Sequence, residues 1–138
     1  MVVDDQARFR SLAWEVIDAT PGFVTIAEVA SGAEAVALAA VLRPDVVLMD
    51  VRLPGLSGFD AARLIVQAGT ARLLVLLSSD YFSVPADLVR RADLVGIPKE
   101  KLRPSILRGL WAALGQPAES GTETAARRAE ASSTMASP

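Results

Sequence analysis

Apolar positions along this 138-residue chain follow two spacings in turn, and that alternation predicts the architecture. Short, nearly unbroken apolar runs read as strands buried on both faces. They are Met1-Val2-Val3, Val46-Val47-Leu48-Met49 closing on Asp50, Leu73-Leu74-Val75-Leu76-Leu77, and the shorter Leu94 to Ile97. The β-rich run from Phe23 to Val29 predicts one more. Between these runs, apolar residues recur at the three-to-four spacing of a helix face. Phe9, Leu12, Val16 and Ile17 predict a helix from Gln6 to about Ala19, stopped by Pro21-Gly22. Ser31-Gly32-Ala33-Glu34 is a capping box opening a helix carried by Ala35, Leu38, Ala39 and Leu42, which ends before Pro44. Phe59, Ala62, Ile65 and Val66 predict a third helix from about Gly58. Leu107, Leu110, Trp111 and Leu114 mark the last, begun at Pro104. From Tyr81 to Asp93 the pattern is weak, with a short helix from Pro85 through Arg91.

Strand and helix alternating in this way predict an α/β fold, a doubly wound and mostly parallel five-stranded sheet. Right-handed crossovers carry every strand's carboxyl end to one rim. That rim gathers Asp4, Asp5, Asp50, Ser78 and Lys99, which the sequence scatters over nearly the whole domain. Residues 1–115 form the single domain of this reading. Residues 116–138 are rich in Ala, Ser, Thr, Glu, Gly and Pro, and their one strong apolar residue is Met135. Such a segment buries too little surface to offset its ordering entropy, so a flexible tail is predicted.

Composition narrows the chemistry. With 51% hydrophobic and 22% charged residues the chain reads as globular, not disordered. A formal net charge of −2 gives no basic surface for nucleic acid, so none is expected as a partner. No apolar run reaches the roughly 18 residues of a membrane span, and no basic leader with an apolar core opens the chain. A cytoplasmic location, away from membrane, is therefore expected. The absence of cysteine excludes disulfides and thiolate nucleophiles, and the absence of histidine excludes Ser-His triads and His-ligated zinc. Carboxylates, hydroxyls, Lys and Arg remain, and oxygen ligands of that kind suit a hard cation such as Mg²⁺.

Asp50 is the centre of this reading. It ends a buried strand and precedes Val51-Arg52-Leu53-Pro54-Gly55-Leu56-Ser57-Gly58, a loop stiffened by Pro54. The carboxyl edge of an open α/β sheet is where ligands bind. Three carboxylates gathered there repel one another unless a cation or protons intervene. Mg²⁺ held by one or two of them, together with a substrate phosphate, resolves that repulsion. Asp50 would then act as nucleophile toward a phosphoryl donor, giving an aspartyl phosphate. Lys99 and a hydroxyl near Ser78 would take the remaining phosphoryl oxygens. Each residue also has a plainer reading. Asp4-Asp5 alone suits a turn with a helix cap, Lys99 with Lys101 nearby suits a solvated lysine, and Ser79 stands beside Ser78 as the alternative hydroxyl.

These residues also carry a resemblance. Val2-Val3-Asp4-Asp5, then Leu48-Met49-Asp50-Val51-Arg52-Leu53-Pro54-Gly55-Leu56-Ser57-Gly58, then Leu76-Leu77-Ser78-Ser79, then Ile97-Pro98-Lys99 follow one another as the motifs of a response regulator receiver domain do. The chain resembles that two-component signalling family over residues 1 to 115. The resemblance implies a flavodoxin-like sheet of order 2-1-3-4-5, and Asp50 as acceptor of a phosphoryl group from the phosphohistidine of a partner kinase or phosphotransfer protein. It implies that Asp5, Asp50 and the Arg52 backbone carbonyl bind Mg²⁺ directly and Asp4 mostly through water. Ser78 becomes the switch hydroxyl and Lys99 the phosphate-pairing cation. The output is a changed surface read by a downstream protein, with a phosphorylation-dependent dimer as one form of it. Such a domain is no enzyme in the ordinary sense, although it assists its own phosphorylation and dephosphorylation.

Three departures from the family pattern stand out. The opening strand has about three residues before the acidic pair, which suggests a natural chain starting upstream of Met1. Gly96 takes the place where many relatives carry an aromatic, three residues before the lysine. Glu100 follows Lys99 where many have proline, and the fourth helix is eroded. Pro98-Lys99-Glu100-Lys101-Leu102 looks more like receivers of the LuxR/NarL-type branch, yet no recognition-helix pattern follows the last core helix. The leading expectation is a stand-alone receiver; the alternative is a degenerate one serving as a phosphorylation-independent interaction module. A phosphatase of the haloacid-dehalogenase type needs a second acid two residues after the nucleophile, where this chain has Arg52.

Overall fold

In the computed structural model, which describes residues 1–115, five parallel strands form one sheet in the order β2-β1-β3-β4-β5. The strands are β1 (Val2–Val3), β2 (Glu28–Val29), β3 (Val46–Asp50), β4 (Leu73–Ser78) and β5 (Leu94–Pro98). The helices are α1 (Ala7–Asp18), α2 (Gly32–Leu42), α3 (Gly58–Ala68), α4 (Ala86–Val89) and α5 (Pro104–Leu110), with a 3₁₀ turn at Lys99–Lys101 and a π-helical turn at Trp111–Gly115. This is the flavodoxin-like order expected from the resemblance. Residues 116–138, read from sequence as a tail, lie outside the described residues.

Strand side chains alternate between the two faces, and each face builds its own core. Val3, Val47, Met49, Leu74 and Leu76 pack with Ala35 and Ala39 of α2 and with Ala61, Ala62 and Ile65 of α3. Val2, Leu48, Val75 and Leu77 pack with Ala13 and Ile17 of α1 and with Leu107 of α5. Both faces are covered, so β4 is buried at every position, as its unbroken apolar run requires. The Ser31 hydroxyl accepts from the Glu34 amide at 3.2 Å, and the Glu34 carboxylate accepts from the Ala30 amide at 3.3 Å. The capping box therefore forms, with its return bond one residue early.

The strand predicted over Phe23 to Val29 shortens to Glu28–Val29. A strand needs a partner, and β1 pairs only Val2 with Glu28 and Val3 with Val29. The Ala27 carbonyl still accepts from the Val2 amide at 3.0 Å, but upstream of it no strand of the described residues pairs with the chain. A cavity of about 160 Å³ fills that place, lined by Met1, Phe23, Ile26, Val46, Leu48 and Trp111 among others. The Met1 ammonium closes one side, donating to the Val46 carbonyl at 2.8 Å. Burial pushes it down from 8.0 to about 6, with the negative charge of Asp45 working the other way.

The sign of the resulting pH dependence is fixed by that lowering. Below 6 the ammonium is charged in both folded and unfolded chains, and its burial cost is fully present. Between 6 and 8 the folded chain binds fewer protons than the unfolded one, so stability rises with pH. A variant with three β-branched residues set before Met1 fills the track beside β3 and moves the charge outward. It is expected to be more stable by about 1–2 kcal/mol and to lose the rise between 6 and 8. Urea unfolding of both chains across that range decides it; equal stability would mean that the cavity does not take a strand.

Candidate functional site

The strand register brings the rim residues together. Val3 pairs with Met49, so Asp4 and Asp50 leave adjacent strands side by side. Asp50 lies opposite Leu77, Ser78 lies opposite Pro98, and Lys99 follows directly. The α3 start approaches so closely that a Cβ on Gly58 would overlap the Asp50 carbonyl, while the Gly58 amide donates to the Val51 carbonyl at 3.1 Å. Gly55 supplies the positive φ of +74° at which the intervening loop turns.

Asp4 and Asp50 are buried and Asp5 is exposed, and one oxygen from each lies within 4.8 Å of the others. The Asp4 carboxylate is divided between two tasks. Its Oδ1 accepts from the Gln6 amide at 2.8 Å, fixing the entry to α1. Its Oδ2 lies 2.7 Å from Lys99 Nζ, an ion pair without hydrogen-bond geometry. Arg10 Nη1 donates to the Asp4 backbone carbonyl at 2.7 Å, and Arg10 Nε reaches Glu28 at 3.3 Å, tying α1 to β1 and β2.

Asp50 is less well compensated. Its Oδ1 accepts from the Arg52 amide at 3.3 Å, and its Oδ2 is 3.8 Å from Lys99 Nζ. Its pKa is raised above 3.8, first by burial and next by the negative charge of Asp4. Lys99 and the Arg52 amide pull the other way, and Asp5 adds a smaller upward push. Ser78 is buried, Ser79 is exposed, and Ser78 Oγ accepts from the Asp80 amide at 3.1 Å. Beyond that hydroxyl, exposed Arg52 and Asp80 face each other at 3.4 Å across the mouth.

Two groups at the site escaped the sequence reading. Phe9, read as a core residue of α1, places its ring 4.3 Å from Lys99 Nζ. Phe82 covers Gly96: a Cβ on that glycine would lie 2.9 Å from two ring carbons and from Val84 Cγ2. A glycine inside a strand signals a close approach by some other group, but not which group.

The chain belongs to the response regulator receiver family. The model of the response regulator receiver domain matches residues 1–91, well over half of the chain. The matched segment stops before Lys99, although the fold continues through β5 and α5. The chain is 36% identical over 78 residues to the protein-glutamate methylesterase/protein-glutamine glutaminase of Thermotoga maritima, covering 56% of this chain and 23% of that protein. It is 36% identical over 81 residues to the nitrate/nitrite response regulator protein NarP of Escherichia coli, covering 58% and 38%. The response regulator domain of Thermotoga maritima CheB superposes with a TM-score of 0.68 at 28% identity, covering 83% of this chain and 94% of that one. A LuxR-family two-component response regulator from Aurantimonas sp. SI85-9A1 superposes equally well, 0.68 at 26% identity, covering 94% and 96%. The chain thus spans about a quarter of the methylesterase it resembles. Among the described residues no helix is long and apolar enough to cross a membrane.

Receiver domains generally bind Mg²⁺ at an acidic pocket, and the donors here fit one. Three carboxylates converge, and the buried Asp4 Oδ2 has no hydrogen bond of its own. Oxygens around an octahedral ion at about 2.1 Å stand roughly 3–4 Å apart, so little closure is needed. Without a cation, the raised Asp50 pKa makes its negative charge destabilising. Below 3.8 the carboxyl is neutral in folded and unfolded chains alike, and stability falls as pH rises from there through the folded value. Asp50→Asn is therefore expected to raise the metal-free melting temperature by a few degrees at neutrality, with a smaller gain in acid. Thermal unfolding with a chelator tests this; a variant no more stable than wild type at neutrality would show that Lys99 already compensates Asp50.

Proposed function

We propose that this chain is a phosphorylation switch in a two-component relay, with Asp50 as phosphoacceptor. The observation that carries the reading is the placement of Lys99 Nζ, 2.7 Å from Asp4 and 3.8 Å from Asp50, beside a convergent acidic trio. An Asp50 oxygen attacks the phosphorus of a phosphohistidine on a kinase or phosphotransfer protein. The P–O bond to Asp50 forms as the P–N bond breaks, and its electron pair returns to the imidazole. Asp5, Asp50 and the Arg52 carbonyl would hold Mg²⁺ directly and Asp4 through water; the ion supplies charge neutralisation for the phosphoryl oxygens. Lys99 pairs with one of those oxygens and the Ser78 hydroxyl donates to another. No methylesterase activity is carried over from the longer relatives.

The output route we favour starts at Ser78. Turning its hydroxyl to the phosphoryl group releases the Asp80 amide that Ser78 Oγ now holds. The segment that follows carries Phe82, seated on Gly96 and against Phe59 with ring centroids 6.2 Å apart. Movement at Ser78 is thereby passed to β5 through a ring contributed by the loop. The altered surface serves a downstream protein, with dimerisation as one form of readout, and the setting is cytoplasmic. A second reading, an interaction module independent of phosphorylation, is favoured by α4, which has only four residues.

Intact mass after incubation with acetyl phosphate and Mg²⁺ separates the two. A gain of about 80 Da, one phosphoryl group, that requires Mg²⁺ and is absent in Asp50→Asn is expected. No gain by a folded, Mg²⁺-binding chain, even with cognate kinase, would leave the constitutive module. For the output route, Gly96→Ala lifts the Phe82 ring from β5. It is expected to leave Asp50 phosphorylation intact while abolishing the amide shift changes that phosphorylation produces at Leu94 to Pro98. If those changes persist, the ring is not the link.

A further inference from the structure

Lys99 is confined from three sides, and only two of those sides are carboxylates. Asp4 and Asp50 approach its Nζ from β1 and β3. The third contact is the Phe9 ring face on α1, with the nitrogen 4.3 Å from the centroid and the lysine side chain only 13% exposed. Ring faces attract cations through their quadrupole, most strongly where water is excluded. The ring is itself held from both ends. The Phe9 amide donates to the Gln6 carbonyl at 3.1 Å, and the Gln6 amide is fixed by Asp4 Oδ1 at 2.8 Å. Arg10, the next residue, clamps the Asp4 carbonyl and Glu28. Phe9 also packs against the core that contains Ala13 and Leu48. Asp4 therefore places both the cation and, through Gln6, the surface on which the cation rests.

We propose that Phe9 is a positioning residue for Lys99, its ring holding the ammonium between Asp4 and Asp50 so that it meets a phosphoryl group arriving on Asp50. The second half of this statement rests on Asp50 being the phosphoacceptor; the first half does not. A lysine side chain has four rotatable carbons and a strongly hydrated head, so two carboxylates alone would let the head swing outward to water. The ring closes that direction. A methyl-bearing residue of similar size would fill the space without attracting the charge, so packing and positioning are separable by substitution.

The test compares wild type, Phe9→Leu and Phe9→Trp, with Lys99→Arg used to assign the lysine signals. In ¹³C-lysine-labelled protein the Lys99 ε-methylene protons are expected to be ring-shifted upfield in wild type. That shift should vanish in Phe9→Leu and return in Phe9→Trp, with far-ultraviolet circular dichroism unchanged. The rate of Asp50 phosphorylation by acetyl phosphate is expected to fall roughly two- to tenfold in Phe9→Leu, the range a cation–π contact supplies, and to recover in Phe9→Trp. An unshifted Lys99 in wild type overturns the proposal. So does a wild-type phosphorylation rate in Phe9→Leu once its shift is lost. If wild type accepts no phosphoryl group at all, the site reading fails, and the shift comparison alone decides whether Phe9 holds Lys99.

Discussion

The structure around the rim is arranged by one constraint: three carboxylates meet where the sheet ends, and two of them are buried. Buried like charges are tolerated only with compensation. Asp4 receives the largest share, an amide at one oxygen and an ammonium at the other. Asp5 has water. Asp50 has a long amide contact and a lysine more than an ångström farther away than it is from Asp4. The charge deficit is thus concentrated on the residue at the end of β3, whose pKa is raised first by burial and next by the charge of Asp4.

Such an arrangement needs a scaffold that does not relax. Parallel strands buried on both faces supply it, because β3 and β4 pair over five positions and sliding either would misplace a whole core face. Gly58 lets the start of α3 press against the Asp50 carbonyl, where any side chain would force the loop away. The exposed ion pairs, by contrast, add little. Arg52–Asp80 and Arg72–Asp45 are open to water, and pairs of that kind contribute at most about 1 kcal/mol.

How much of this could be read from the sequence depended on range. Strands β3 and β4 were legible because burial on both faces imposes an unbroken apolar run, and Asp50 stands out at the end of one. The cap at Ser31 was legible because it is a contact between residues three apart. Phe23 to Ala27 misled because β-propensity is local, whereas a strand exists only if another chain segment lies beside it. Phe82 on Gly96 and Phe9 on Lys99 were illegible for a related reason. Each joins residues from different elements, and an aromatic at helical spacing looks the same whether its far face meets leucine or an ammonium. The one available signal for Phe9 was its place one helical turn beyond Asp5, on the side of α1 that faces the rim.

The uneven treatment of Asp4 and Asp50 also orders events at the site. Asp4 is committed to the backbone of α1 through Gln6, so removing Lys99 from it leaves a carboxylate that is still partly satisfied. Asp50 has no such reserve. A group that brings positive charge, or that converts the Asp50 carboxylate to an ester-like acyl phosphate carrying its charge farther out, relieves the least compensated position first. Lys99 lies 3.8 Å from that position, so a modest movement of its head would transfer the cation from the carboxylate that can spare it to the phosphoryl group proposed there. The proposed reactivity of Asp50 and the proposed hand-over of Lys99 would then share one origin. Asp4 is buried with enough partners to release one, and Asp50 is buried with too few.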